Sequence, residues 1–201
     1  MIEKADYYIY EDSFIFKPYF NGFLNNYINI ISNYKKIFFS NYYDPILCIK
    51  ANNNYIGNYY DKYKTSYFNK PLGDSLNNQI QLQKLTFGWH FNQPLGNSLN
   101  NQKQLQQLTF GNNFNQLLGD SLNNQIQLQQ LTFGHNFNYP LCDSLNYLRN
   151  LQQLTFDVSF NQPLGDSLNN LTNLQQLTFG FRFNQPLGDS LMPRSTATLR
   201  Q

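Results

Sequence analysis

Charged side chains are scarce in this sequence. They make up 13% of 201 residues, about half the share usual for a globular chain. The 14 basic and 12 acidic residues leave a net charge of +2 and are mixed evenly along the chain. A nucleic-acid partner needs a concentrated positive surface to displace counterions, so this balance argues against one. Cysteine is nearly absent, and Cys48 and Cys142 alone cannot build a disulfide framework. Residues 1–6, Met-Ile-Glu-Lys-Ala-Asp, lack the order of a signal peptide. No apolar run approaches the ~18 residues of a membrane span. A soluble, cytoplasmic protein without membrane association is expected. Histidine is limited to His90 and His135, and no P-loop, dinucleotide loop or paired zinc spacing occurs. No cofactor and no metal are expected.

Amides stand in place of charge: 31 Asn and 20 Gln. They are distributed periodically. Phe68, Phe91, Phe114, Phe137, Phe160 and Phe183 are spaced 23 residues apart without insertion. Each opens a block of the type Phe-Asn-Gln-Pro-Leu-Gly-Asp-Ser-Leu, closing on Leu-x-x-Leu-Thr-Phe. Five blocks are complete and the sixth ends at Leu191. Apolar residues alternate with Thr in the Leu-Thr-Phe triplet, the period-two mark of a short strand with one buried face. The few apolar side chains of one block cannot offset the entropy of ordering its backbone, so the blocks must stack and share a core. The predicted fold class is therefore α/β: a leucine-rich-repeat-like solenoid of 23-residue coils. It has short parallel β-strands on one face and short helical, 3-10 or irregular segments on the other.

Within a coil, the Asn column Asn69, Asn92, Asn115, Asn138, Asn161 and Asn184 sits where the chain leaves the strand. It is predicted to be a structural ladder of buried amides that satisfies backbone without strand partners. The following Pro lacks a donor and marks a loop. Gly-Asp-Ser reads as a turn into a short helical or 3-10 stretch carrying Leu168, Leu171 and Leu174, with the Asp column as exposed helix caps.

The Phe-Asn-Gln-Pro blocks resemble FNIP repeats, whose name spells Phe-Asn-Ile-Pro. The family is similar to leucine-rich repeats and is known from social amoebae and from giant viruses that infect amoebae. The resemblance covers residues 68–191. Position three of the motif is Lys70, Gln93, Gln116, Tyr139, Gln162 or Gln185 in place of Ile, and Leu117 replaces one Pro. The resemblance implies a protein-binding role, in the host cytoplasm for a viral member. Some members carry an amino-terminal F-box, which would imply substrate recognition for a ubiquitin ligase.

Residues 1–67 hold 13 of the 15 tyrosines and are read as an amino-terminal cap with one or two degenerate coils. Phe14-Ile15-Phe16 stands where Leu-Thr-Phe should, and residues 20–42 keep the apolar positions of a coil. Residues 43–67 form a poorer one, with Lys62-Tyr63-Lys64 at the strand position. Residues 192–201 are a divergent tail without a further strand. The last edge is thus uncapped, and self-association through it is expected.

Gly-Asp-Ser-Leu recurs at 73, 119, 165 and 188 and matches the signature string of GDSL serine esterases. Four copies of a nucleophile served by two histidines suit a repeated turn better than catalysis. The Asp column Asp74, Asp120, Asp143, Asp166 and Asp189 supplies one carboxylate per coil, too few for calcium. The more informative positions are those that vary after each strand: Gly88-Trp89-His90, Gly111-Asn112-Asn113, Gly134-His135-Asn136, Asp157-Val158-Ser159 and Gly180-Phe181-Arg182. Packing does not dictate them. Candidate partner-binding residues are Trp89, His90, His135, Tyr139, Phe181 and Arg182, beside an exposed polar strand face of Lys84, Gln107, Gln130, Gln153, Gln176 and the Thr column. The partner expected is a protein, and no catalytic residue is assigned.

Overall fold

The strand at the end of each block pairs with its equivalent in the next block. The structure, a computed structural model, describes residues 1–42, 44–50 and 65–187 and the backbone of 196–199. Five strands come from the repeats: β5 (Lys84–Thr86), β6 (Gln107–Thr109), β7 (Gln130–Thr132), β8 (Gln153–Thr155) and β9 (Gln176–Phe179). They are parallel and in register, Leu85 opposite Leu108, then Leu131, Leu154 and Leu177. Four of the five begin one residue earlier than Leu-Thr-Phe and end before the Phe, whose N–H still extends the ladder (Phe110 N to Thr132 O, 2.9 Å).

Phenylalanine builds the core as two columns joined by rungs. Each strand-end Phe lies against the Phe that opens the next block: Phe87 on Phe91 at 3.9 Å, Phe110 on Phe114 at 3.9 Å, Phe156 on Phe160 at 4.0 Å between centroids. Along the opening column the rings are parallel, Phe91 to Phe114 to Phe137 each 6.1 Å apart. All of these rings are buried. This contact network crosses every coil boundary, so no coil owns a separate core.

The far side of each repeat from Phe68 onward is a chain of overlapping turns and not a helix. In the first repeat Ser75 N bonds Leu72 O, Asn77 N bonds Asp74 O, Gln79 N bonds Leu76 O and Leu82 N bonds Gln79 O, at 2.8–3.0 Å. These bonds are not consecutive, and the Asn-rich stretch has weak helix propensity to join them. The Asp residues therefore cap no helix. Their Oδ1 instead accepts from the Asn three residues on, as from Asn77 to Asp74 at 3.1 Å and Asn169 to Asp166 at 2.9 Å.

The turn column also explains its glycines. Gly73, Gly96, Gly119 and Gly165 have φ between +49° and +52°, and Cys142 takes the same conformation at +46°. A side chain in that region costs ~1–2 kcal/mol. Cys142→Gly is therefore expected to raise stability by about 1 kcal/mol in urea unfolding, and no gain would show that the turn relaxes around the cysteine. Gly88, Gly111, Gly134 and Gly180 have another reason. A Cβ on Gly111 would overlap the Gly88 carbonyl of the coil before.

The amino-terminal end closes the core. β1 (Ile2–Glu3) and β2 (Tyr7–Tyr10) are antiparallel, and β2 is antiparallel to β3 (Ser13–Phe16). From β3 onward the sheet is parallel. β3 pairs with β4 (Lys36–Phe39), Phe16 opposite Phe39, and residues 20–39 form a coil with a 3-10 turn at Leu24–Tyr27 and α1 at Ile28–Ile31. By the register of β4 on β5, Tyr34 stands at the Leu82 position and Tyr27 at that of Ser75. The Tyr27 hydroxyl donates to Asp6 at 2.6 Å, and Lys17 pairs with Glu3 at 2.7 Å above the Tyr8 ring.

The strand expected at Lys62-Tyr63-Lys64 lies outside the described residues. β4 pairs directly with β5, Ile37 opposite Leu85. Phe68 stacks on Phe39 at 4.0 Å, the rung geometry of Phe91 on Phe87. Phe39 and Phe68 are separated by 28 residues, where three residues, Gly88, Trp89 and His90, separate Phe87 from Phe91. Between them α2 (Pro45–Lys50) covers the outer face of the first strands in a second small core of Tyr8, Ile15, Phe38 and Cys48. Burial there pushes the Cys48 thiol up to about 12. Buried Asn41 fixes the return, its Oδ1 accepting from Ser66 N at 3.0 Å and Trp89 N at 2.9 Å.

The tail also differs from expectation. Thr196–Leu199 forms β10, parallel to β9 with Ala197 opposite Leu177 and Leu199 opposite Phe179. A Thr-Ala-Thr-Leu segment keeps enough alternation and β-propensity to add a strand without the Leu-Thr-Phe spelling. No helix among the described residues is long and apolar enough to cross a membrane.

Candidate functional site

Where the chain leaves each strand, two side-chain columns run along the solenoid and enclose an open groove of about 700 Å³. The inner row is Asn69, Asn92, Asn115 and Asn138, and the outer row is His90, Asn113, Asn136, Ser159 and Arg182. Each inner Asn links two coils. Asn69 Oδ1 accepts from Asn92 N at 2.9 Å and Gln93 Nε2 at 3.0 Å, and Asn138 Oδ1 from Asn161 N at 2.8 Å and Gln162 Nε2 at 3.2 Å. Tyr139 replaces one such Gln, so Asn115 Oδ1 receives Asn138 N alone, at 2.9 Å. The amide column runs from coil to coil through these bonds. Its amides, however, are half-buried or exposed, and they bond the backbone N–H with Oδ1 but no backbone carbonyl. The strand's departure leaves them at the lip of the coil.

The outer row passes hydrogen bonds from coil to coil: Asn136 Nδ2 to Asn113 Oδ1 and Asn113 Nδ2 to His90 Nδ1, both 3.3 Å. His90 Nδ1 must therefore be an acceptor, which leaves its proton on Nε2 facing Thr65 Oγ1 at 3.3 Å. The ring stacks on Tyr67 at 5.3 Å, and burial holds its pKa below the usual histidine value. Burial thus favours the neutral form of His90.

Of the six candidate residues, the groove contains His90 and Arg182. Phe181 is exposed and lines a separate apolar recess of about 450 Å³ with Phe156, Val158 and Phe179. Trp89 is half-buried, and His135 and Tyr139 are exposed outside both cavities. Asn113, Asn136 and Ser159 stand among the variable positions but outside the candidate set. Their signal was the column itself, since 90, 113, 136, 159 and 182 are one repeat apart. The strand face is less open than expected. Lys84, Gln107 and Gln130 are half-buried and Gln153 and Gln176 exposed, while Thr86, Thr109 and Thr178 are buried. Strands ~4.8 Å apart let longer neighbours cover a short Thr side chain. Lys84 lies 5.3 Å from the Phe38 ring, and burial lowers its pKa.

The Gly-Asp-Ser-Leu serines are turn residues. Ser75, Ser121 and Ser167 are buried, the Ser75 hydroxyl donates to Asn25 Oδ1 at 2.6 Å, and that of Ser121 to the Leu118 carbonyl. Neither bond leaves a hydroxyl facing a histidine. Among the described residues no group of three or more His, Cys, Asp and Glu is placed to hold a metal ion.

No protein-family model matches the chain, and no curated protein matches it. Solved structures do. Internalin C2 of Listeria monocytogenes superposes with a TM-score of 0.58 at 14% identity, covering 94% of this chain and 80% of its own. The fold is a leucine-rich-repeat-like solenoid. An internalin F of the same organism aligns with a TM-score of 0.53 at 18% identity over 84% of this chain, which spans 47% of that protein. A circular leucine-rich-repeat protein, CroV588, is 24% identical over 97% of this chain and 34% of its own, with a TM-score of 0.47.

Proposed function

We propose that this solenoid is a non-enzymatic protein-binding module of the FNIP-repeat type, working in the cytoplasm, whose partner docks along the strand-end groove. One observation carries the reading. A frame that repeats to the residue supports a continuous groove whose outer wall alone changes, from His90 through Asn113, Asn136 and Ser159 to Arg182. A frame needs only stacking, and a changing wall on a constant frame is how a repeat protein distinguishes partners. The groove is open and polar, which suits a surface segment of another protein better than a small enclosed ligand.

The test is affinity capture from an amoebal extract with mass-spectrometric readout. Partners are expected to be lost when Arg182→Glu and Asn136→Asp are combined, and kept with Arg149→Glu, an exposed residue on the far side of the coil. Retention of every partner by the double variant would remove the groove as the docking face.

A further inference from the structure

The groove has a chemical polarity of its own. Each inner-row Asn has its oxygen occupied, by two donors in most coils. What these amides have left to offer is Nδ2–H, and no partner for it exists among the described residues. The Asn orientation is fixed by the backbone N–H that the oxygen accepts, so the donor side is not interchangeable with it. In the outer row the oxygen of Asn113 and Nδ1 of His90 are occupied as well. No carboxylate lines the groove, and Arg182 stands at its carboxyl-terminal end. The result is a comb of hydrogen-bond donors one coil apart, with one cation and no carboxylate, Asn136 Oδ1 and the Ser159 hydroxyl being the acceptors of the outer row.

We infer that the groove takes an extended acidic peptide segment of the partner, its backbone carbonyls and carboxylates meeting the inner amides and one carboxylate pairing with Arg182. This inference rests on the docking face proposed above. From His90 to Arg182 there are four coil steps, about 19 Å at the strand spacing, which an extended segment of about six residues spans. The chemistry disfavours other occupants. A neutral glycan needs acceptors for its hydroxyls and a ring to stack on, and the groove offers no carboxylate and no exposed aromatic. A nucleic acid needs many cations where the groove has one.

The test uses the full chain and fluorescein-labelled heptapeptides alternating Thr with Glu, Gln or Lys, read by anisotropy at low and high salt. The Glu peptide is expected to bind best, with an affinity that falls as salt rises. Arg182→Glu should weaken it about tenfold, and Arg149→Glu should change it by less than about twofold. Absence of Glu-peptide binding, equal binding of the Lys peptide, equal losses from both charge reversals, or preferential binding of a neutral glucose hexasaccharide would each overturn the inference. Loss of captured partners in the double variant without Glu-peptide binding would overturn the ligand class and leave the docking face standing. Full retention of partners would remove the face itself.

Discussion

Phe114→Ala is expected to lower stability by about 3–5 kcal/mol, the range for emptying a fully buried Phe site. Phe114 is wholly buried, 3.9 Å from Phe110 and 6.1 Å from both Phe91 and Phe137. The cavity has little means of collapse. Its four walls are set by the rings above and below, the rung partner and the backbone leaving the strand, and each wall is locked by the same geometry in its own coil. Because the columns continue through neighbouring coils, the loss should appear in the single global unfolding transition and not as fraying of one coil. Urea unfolding of both proteins measures it. A loss below about 1 kcal/mol would mean that the rings are not closely packed.

Gln79→Leu should act in the opposite direction, raising stability by about 1–3 kcal/mol through removal of an unsatisfied buried amide. Gln79 is fully buried, and among the described residues neither its Oε1 nor its Nε2 has a partner. In the next two coils the same position donates Nε2 to a carbonyl of the coil before, Gln102 to Leu76 O and Gln125 to Leu99 O. The coil preceding Gln79 is different. There the equivalent stretch is the 3-10 turn and α1, whose carbonyls bond along their own chain. Later coils place Leu148 and Leu171 at this position, both buried. The sequence thus contains the stabilising substitution already. An unchanged or lower midpoint in urea for Gln79→Leu would show that the amide has a partner the described residues do not include.

The repeat made the fold legible because every buried position recurs at one spacing. Strand register and the stacking of equivalent Phe side chains followed from that period. The outer segments, expected as short helical, 3-10 or irregular pieces, are series of turns that each close over three residues. The poorer coil expected at 43–67 falls largely outside the described residues, and β4 pairs directly with β5. The strand β10 was missed because a Thr-Ala-Thr-Leu segment carries the alternation without the motif. At the site, the variable positions were visible as a set, yet sequence could not tell which side chains share a surface. Trp89, one of the six candidates, is half-buried with its backbone N–H bonded to Asn41, whereas Asn113, Asn136 and Ser159 complete the groove.

The account stands or falls on equivalent residues of successive coils lying side by side. Scalar couplings across hydrogen bonds in the NMR spectrum of isotope-labelled protein measure this directly. Couplings are expected from the Phe87 N–H to the Thr109 carbonyl, and likewise Phe110 to Thr132, Phe133 to Thr155 and Phe156 to Thr178, where the distances are 2.8–2.9 Å. Phe-to-carbonyl couplings within four residues along the chain, or to strands at any other offset, would contradict the stacked solenoid and the groove built on it.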